Sequence, residues 1–146
     1  MVIHVTAMAN DVVTVADLDL NDEHMTIGLS DTLQEAARRL LSVPGGILVV
    51  LDDESKVKGV IGYKQMLVAI DSDTDTKSAT CAEHMEMDFM EVTLQEDLQE
   101  VLKKIHQRSP QAVVATDDHG DFSGYFSPND YQASRKLVKS LKKLKL

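Results

Sequence analysis

The residues best suited to chemistry are Ser127 and Asp130, in the run Phe126-Ser127-Pro128-Asn129-Asp130. Serine followed by proline opens a helix. Ser127 stands at the N-cap and Pro128 at the first helical position, where a missing N–H costs nothing. A hydroxyl there lies beside backbone N–H groups and the positive end of the helix dipole, where a phosphate is electrostatically welcome. A carboxylate on the first turn, Asp130, can accept both hydroxyls of a ribose. The same residues admit a plainer reading: Ser127 only caps the helix and Asp130 only complements its dipole. Gly124, on the strand leading in, would let that strand lie close to a neighbour or a ligand.

Other constellations offer less. The aspartates of Asp71-Ser72-Asp73-Thr74-Asp75-Thr76 alternate as in a calcium loop. Thr76 stands where Gly is needed and Ala82 where Glu is needed, so a solvated linker is expected. Met85, Met87 and Met90 around His84 could be soft metal ligands, but methionines lining a core are commoner, and no metal site is expected. Cys81 has no CxxC partner and reads as a small buried residue. Gly124-Tyr125-Phe126-Ser127 lacks the spacing of a nucleophile elbow, and no base accompanies the serine. No catalytic residue, and no enzyme, is expected.

The elements that position Ser127 and Asp130 belong to a chain of 146 residues, 43% of them hydrophobic. That suffices for one compact domain or two small repeats. Fifteen Lys and Arg against twenty-four Asp and Glu give a net charge of −9. Residues 132–146 hold Arg135, Lys136, Lys139, Lys142, Lys143 and Lys145 and no acid, so the rest of the chain carries −15. Most of this surface repels a phosphate backbone, and without Trp there is little to stack bases on, so a nucleic-acid partner is disfavoured. No apolar run approaches the ~18 residues of a membrane span. Met1-Val2-Ile3-His4 does not open like a signal peptide, and one cysteine makes no internal disulfide; a cytoplasmic protein with no membrane partner is expected. Leu137, Leu141 and Leu144 recur on one helical face, so the basic segment reads as an amphipathic helix packing its leucines on the body.

The chain repeats itself. A shift of 65 residues places Leu29, Leu33, Gln34, Glu35, Val49, Asp52, Asp53 and Gly59 on Leu94, Leu98, Gln99, Glu100, Val114, Asp117, Asp118 and Gly124. Thr14-Val15-Ala16-Asp17 resembles Thr80-Cys81-Ala82-Glu83 at a shift of 66. The chain is therefore a duplication of a unit near 60 residues. Each copy reads as strand, helix, strand, strand, helix. In the first, Met25–Leu29 is a strand, Ser30 caps a helix with its stripe at Leu33, Ala36, Ala37, Leu40 and Leu41, and Pro44-Gly45-Gly46 stops it. Ile47–Leu51 is an apolar run suited to burial on both faces. Val57–Ile61 returns, and Tyr63–Ile70 is a short helix. In the second, Thr93 and Glu96 have capping-box spacing before Leu98, Val101, Leu102 and Ile105. Ala112–Ala115 is the buried strand, Asp117-Asp118-His119-Gly120 the hairpin turn and Phe122–Phe126 the return.

This plan, with Gly-apolar-apolar-Ser/Thr-x-x-Asp after the last strand at Gly124–Asp130, resembles a tandem pair of CBS domains, the Bateman-type module named after cystathionine β-synthase. The resemblance covers the chain from about Val12 to Leu137. It implies an α/β (α+β) fold of two β-α-β-β-α repeats related by a pseudo-twofold axis. The expected divisions are an N-terminal extension at 1–13, repeats at 14–70 and 80–134 with a linker at 71–79, and a basic amphipathic helix at 135–146. It also implies clefts between the repeats that bind adenosine-containing ligands: AMP, ADP, ATP or S-adenosylmethionine. Carried onto this sequence, Asp130, Ser127 and Asn129 would hold ribose and phosphate, and Leu20, Met25, Gln111 and Ala112 would form the base pocket. Gln111 sits near where relatives supply a basic side chain to phosphate, which favours AMP over a polyphosphate, although Arg108 could substitute. The first copy has Gly62 and Gln65 at the Ser and Asp positions, a degenerate second cleft. The expectation is a regulatory module with no obligatory cofactor, an adenine nucleotide as its ligand, a homodimeric state and a regulated partner protein. The alternative is a constitutive interaction module with no nucleotide. Dimerisation is expected through the helix stripes at Leu33-Ala37-Leu40 and Leu98-Val101-Leu102-Ile105.

Overall fold

The computed structural model describes residues 13–21 and 23–144; the extension expected at 1–13 lies almost wholly outside them. The chain divides into two compact units. One is Glu23–Phe89, the central unit. The other, the terminal unit, joins the described residues of 1–22 to those of 90–146.

The central unit is built on a three-stranded sheet, β1 (His24–Gly28), β2 (Ile47–Leu51) and β3 (Val57–Ile61), in that spatial order. β1 runs parallel to β2, and β2 antiparallel to β3. Helix α1 (Leu33–Leu40) connects the parallel pair, α2 (Tyr63–Asp71) comes after β3, and α3 (Cys81–His84) completes the unit. Its core gathers Ile27, Leu33, Ala36, Leu40, Leu48, Val50, Ile61, Ala69 and Cys81. Neighbouring Val49 and Val50 are both fully buried, so β2 is covered on both faces as its unbroken apolar run requires.

The terminal unit repeats the plan with β4 (Phe89–Thr93), α4 (Leu98–Arg108), β5 (Ala112–Thr116), β6 (Phe122–Phe126) and α5 (Pro128–Leu144). Its sheet order is β4-β5-β6. Each of these five elements begins 65 residues after its counterpart. The two hairpins even share a register irregularity, between Val50 and Leu51 and between Ala115 and Thr116. Gly120 takes φ 78° in the turn, where a β-carbon would be strained.

Several local expectations need correction. Ser30 does not cap α1. It lies in a turn, and Thr32 Oγ1 accepts the Glu35 N–H at 3.2 Å. Thr93 and Glu96 form no capping box. Thr93 is still extended as the last residue of β4, and the Glu96 N–H returns to its carbonyl. The cap is Asp97, whose Oδ1 accepts the Gln99 N–H at 2.8 Å. Thr32 and Asp97 are themselves 65 apart, so the duplication kept the cap position while changing its chemistry. Leu41 lies past the end of α1 and is 80% exposed, off the stripe. The stripes expected to pair are not spare surface: Leu33, Leu40, Leu98, Val101 and Leu102 lie in their own units' cores and Ile105 packs against one of them, which leaves Ala37.

The lead-in segments are exchanged between the copies. By sequence, residues 14–17 head the first copy, but Val15 and Ala16 donate to the carbonyls of Glu96 and Leu94, and Leu98 donates to Val13. Residues 80–83 head the second copy, but Cys81 and Ala82 donate to Asp31 and Leu29. In both units a glycine on the returning strand makes room for the chain beside it. Gly59 packs against Met85 and Glu86, and Gly124 packs against Leu20.

The basic segment is not a separate helix. It is the second half of α5, which runs unbroken for 17 residues against the 9 of α2. Leu137, Val138 and Leu141 pack on the terminal unit's core. Deleting residues 135–146 is therefore expected to lower the melting temperature, at a cost of about 2–4 kcal/mol for three half-buried apolar side chains. An unchanged melting curve would mean that this half of the helix contributes no packing.

Candidate functional site

Ser127 and Asp130 hold one another at the start of α5. The Ser127 N–H donates to Asp130 Oδ2 at 2.9 Å, and the Asp130 N–H donates to Ser127 Oγ at 3.1 Å. Both side chains are almost completely buried. The plainer reading of the pair is therefore physically realised: a reciprocal box that satisfies two helix-terminal donors. The same i, i+3 bond recurs along the chain. Asp17 accepts from Thr14, Asp31 from Gly28, Gln65 from Gly62, and Glu83 from Thr80. Gln65 thus performs the structural job of Asp130 with a neutral amide oxygen, at 2.8 Å.

What distinguishes the second copy is where its hydroxyl sits. Ser127 lines a pocket of about 210 Å³ in the terminal unit, together with Gln111, Ala112, Tyr125, Phe126 and Tyr131. Ser127 Oγ accepts one bond, and no described residue accepts its proton, so it can donate into the pocket. Ala112, at the start of β5, and Gln111 just before it line the same pocket. Asp130 and Asn129 stand next to the wall without lining it. Leu20 borders a different, smaller cavity of about 190 Å³ with Ala16, Leu18 and Ser123, and its carbonyl accepts the Tyr125 N–H at 3.0 Å. Met25 lies on β1 of the central unit, partly exposed. Arg108, at the end of α4, borders a third depression with Met90 and Lys104 and not the Ser127 pocket. The aromatic walls, Tyr125 and Tyr131, were not singled out from the sequence. The signal was present: Tyr125 precedes Ser127 by two residues along the extended chain, and Tyr131 comes one helical turn after it.

The remaining candidates fall into structural roles. Burial, with the Asp31 carboxylate adding to it, pushes the Cys81 thiol up to about 11, which makes it a poor nucleophile. Met90 is in the terminal unit's core, Met85 packs against the central unit's core, and Met87 is exposed. Among the described residues no three His, Cys, Asp or Glu side chains come together as a metal site, and no helix is long and apolar enough to cross a membrane.

Comparison with known proteins agrees with this architecture. Residues 5–72 match the CBS domain family. No curated protein matches by sequence. Among solved structures, AcuB from Vibrio cholerae superposes with a TM-score of 0.74 at 17% identity, over 90% of this chain and 96% of that one. A CBS domain pair/ACT domain protein from Thermotoga maritima gives 0.68 at 17% identity, over 88% and 99%. The cytosolic domain of the Mg2+ channel MgtE, in complex with ATP, gives 0.63 at 19% identity, over 78% of this chain and 46% of that one. The sequence match over residues 5–72 is to the CBS domain, and the chain has the fold of the CBS domain pair structures.

Proposed function

We propose that the protein is a non-catalytic, cytoplasmic regulatory module that binds an adenosine-containing ligand in the terminal unit and passes the signal to a partner protein. The observation that carries this reading is the Ser127 hydroxyl, buried beside the Asp130 carboxylate and able to donate into a pocket with tyrosine walls. The ribose would be held at Asp130, with Asn129 beside it, and a phosphate at Ser127. Gln111 on the pocket brings no positive charge and the chain carries −9, so AMP is favoured over ADP, ATP or S-adenosylmethionine. The structural neighbour that holds ATP supports a nucleotide as the class of ligand. Leu20, which borders a different cavity of the terminal unit, would complete the base pocket only by moving toward the ligand. The cleft with Gly62 and Gln65 would bind such ligands weakly, because Gly62 brings no hydroxyl and Gln65 no charged acceptor.

A second reading is favoured by the reciprocal bonds between Ser127 and Asp130: a constitutive interaction module whose polar groups only hold the helix start. Thermal melting with AMP, ADP, ATP, S-adenosylmethionine or NADH separates the two. A ligand at about 100 times its Kd adds about 2.7 kcal/mol of stability. No shift with any of them would decide for the constitutive module.

The proposal includes a homodimer. Leu67 and Ile70, on one face of α2, are 64% and 65% exposed, whereas the stripes first expected to pair are already consumed. Light scattering at low micromolar concentration should give a mass near twice 16.1 kDa; a monomer would remove this part of the proposal.

A further inference from the structure

The terminal unit carries a second depression, between α4 and α5, with a volume of about 340 Å³. Its rims are basic on both sides: Lys103 and His106 from α4, and Arg135, Lys139 and Lys142 from α5. Its floor is apolar, formed by Tyr131, Val138 and Leu102. Lys103 is paired with Glu100 at 3.3 Å, and Arg135 lies 5.7 Å above the Tyr131 ring. Among the described residues, no acidic side chain pairs with Lys139 or Lys142. These cations therefore stand in solvent on a protein that is otherwise strongly acidic.

The duplication serves as an internal control. At the matching positions of the first copy, Leu41 stands for His106, Ile70 for Arg135 and Thr74 for Lys139, while Arg38 and Lys77 keep the charge of Lys103 and Lys142. α4 outruns α1 by three residues and α5 outruns α2 by eight, and the added turns carry His106, Lys139 and Lys142. The helical walls of the groove, and three of its five cations, are thus additions to the repeat. Folding does not need these cations, because the leucine face of the same helix does the packing.

We propose that this groove docks an acidic amphipathic segment of the partner protein, with apolar side chains on the Tyr131–Val138 floor and carboxylates between the two basic rims. A row of lysines beside an apolar strip is complementary to a helix with leucines at i, i+3/i+4 and i+7 and glutamates between. A nucleic acid would use the charges and ignore the floor. A second copy of this chain would be drawn by its −15 remainder. This proposal rests on the regulatory reading only in taking a partner to exist.

The test uses the full chain and a fluorescent peptide of about 15 residues, with leucines at that spacing and glutamates elsewhere. Anisotropy should show binding that weakens with added salt. Lys139→Glu/Lys142→Glu should weaken it at least about tenfold, since attraction becomes repulsion at two sites. Both lysines are exposed, so the melting temperature and the AMP titration should be unchanged. Replacing the peptide's leucines with serine should also weaken binding. Three results would overturn the proposal: no binding of the leucine peptide; equal binding of the serine peptide or of a DNA duplex of matching charge; or loss of self-association in Lys139→Glu/Lys142→Glu, which would assign the groove to a second copy. The AMP titration of the wild type reports separately on the nucleotide reading, so the two can fail independently.

Discussion

Asp130→Ala is expected to lower affinity for an adenosine ligand by about ten- to several-hundred-fold and to destabilise the protein at the same time. Hydrogen bonds to a charged acceptor contribute roughly 1.5–3 kcal/mol each, and a ribose offers two. At about 1.4 kcal/mol per decade, and allowing for non-additivity, that gives the stated range. The stability loss has a separate cause: the Ser127 N–H loses its acceptor in a buried setting, at a cost of about 1–3 kcal/mol. Alanine alone therefore confounds binding with folding. Asp130→Asn separates them. Gln65 shows that an amide oxygen can hold the corresponding N–H, so asparagine should keep most of the stability while losing the charged acceptor. Calorimetric titration with AMP and thermal melts of the three proteins make the comparison. Full affinity in Asp130→Asn would show that the carboxylate does not hold the ribose. Equal loss of affinity after Gln65→Ala would show that the first copy is not the weaker site.

Gly124→Ala should cost about 1–3 kcal/mol, the usual penalty for overpacking a filled site. A β-carbon there would lie 2.7 Å from Leu20 Cβ and 3.0 Å from the Leu20 carbonyl oxygen. Neither is the far end of a flexible side chain. That carbonyl also accepts the Tyr125 N–H, so it cannot retreat without breaking a bond beside the Ser127 pocket. Gly59→Ala meets the same obstacle in the central unit, where the Glu86 carbonyl is 2.9 Å away and is bonded to Val60. Urea unfolding of the Gly124 variant should show a lower midpoint with an unchanged slope. A midpoint equal to the wild type's would mean that Leu20 gives way freely.

The apolar pattern made most of the fold legible. Leu33, Ala36 and Leu40, and Leu98, Val101 and Leu102, mark helical faces by spacing alone, and Ile47–Leu51 declares a buried strand by its lack of polar residues. These signals are local, and they appear twice. The helix caps were misread because Ser30, Thr32, Thr93 and Asp97 are all competent oxygens, and the choice depends on where the strand before them ends. The destination of residues 14–17 was not legible at all. Their hydrogen bonds reach Leu94 and Glu96, some eighty residues away, and no periodicity within a copy carries that information. The site was half legible. Ser127, Gln111 and Ala112 share a pocket, but its tyrosine walls read as ordinary core until α5 and β6 are placed side by side.

The exchange of lead-in segments also bears on how the chain is made. During synthesis, residues 23–79 emerge before α3, whose Cys81 belongs to their core, and before Glu86, which bonds to Val60 on β3. Val13, Val15 and Leu18 emerge first of all, yet their hydrophobic partners Val92, Leu98 and Val101 come last. The central unit is complete once Phe89 is out, whereas the terminal unit must wait for its C-terminal elements, and closing such distant contacts is the slow kind of step. A nascent chain halted at the linker would hold bare the apolar surface of Val13, Val15 and Leu18, whose partners lie in the second half of the chain.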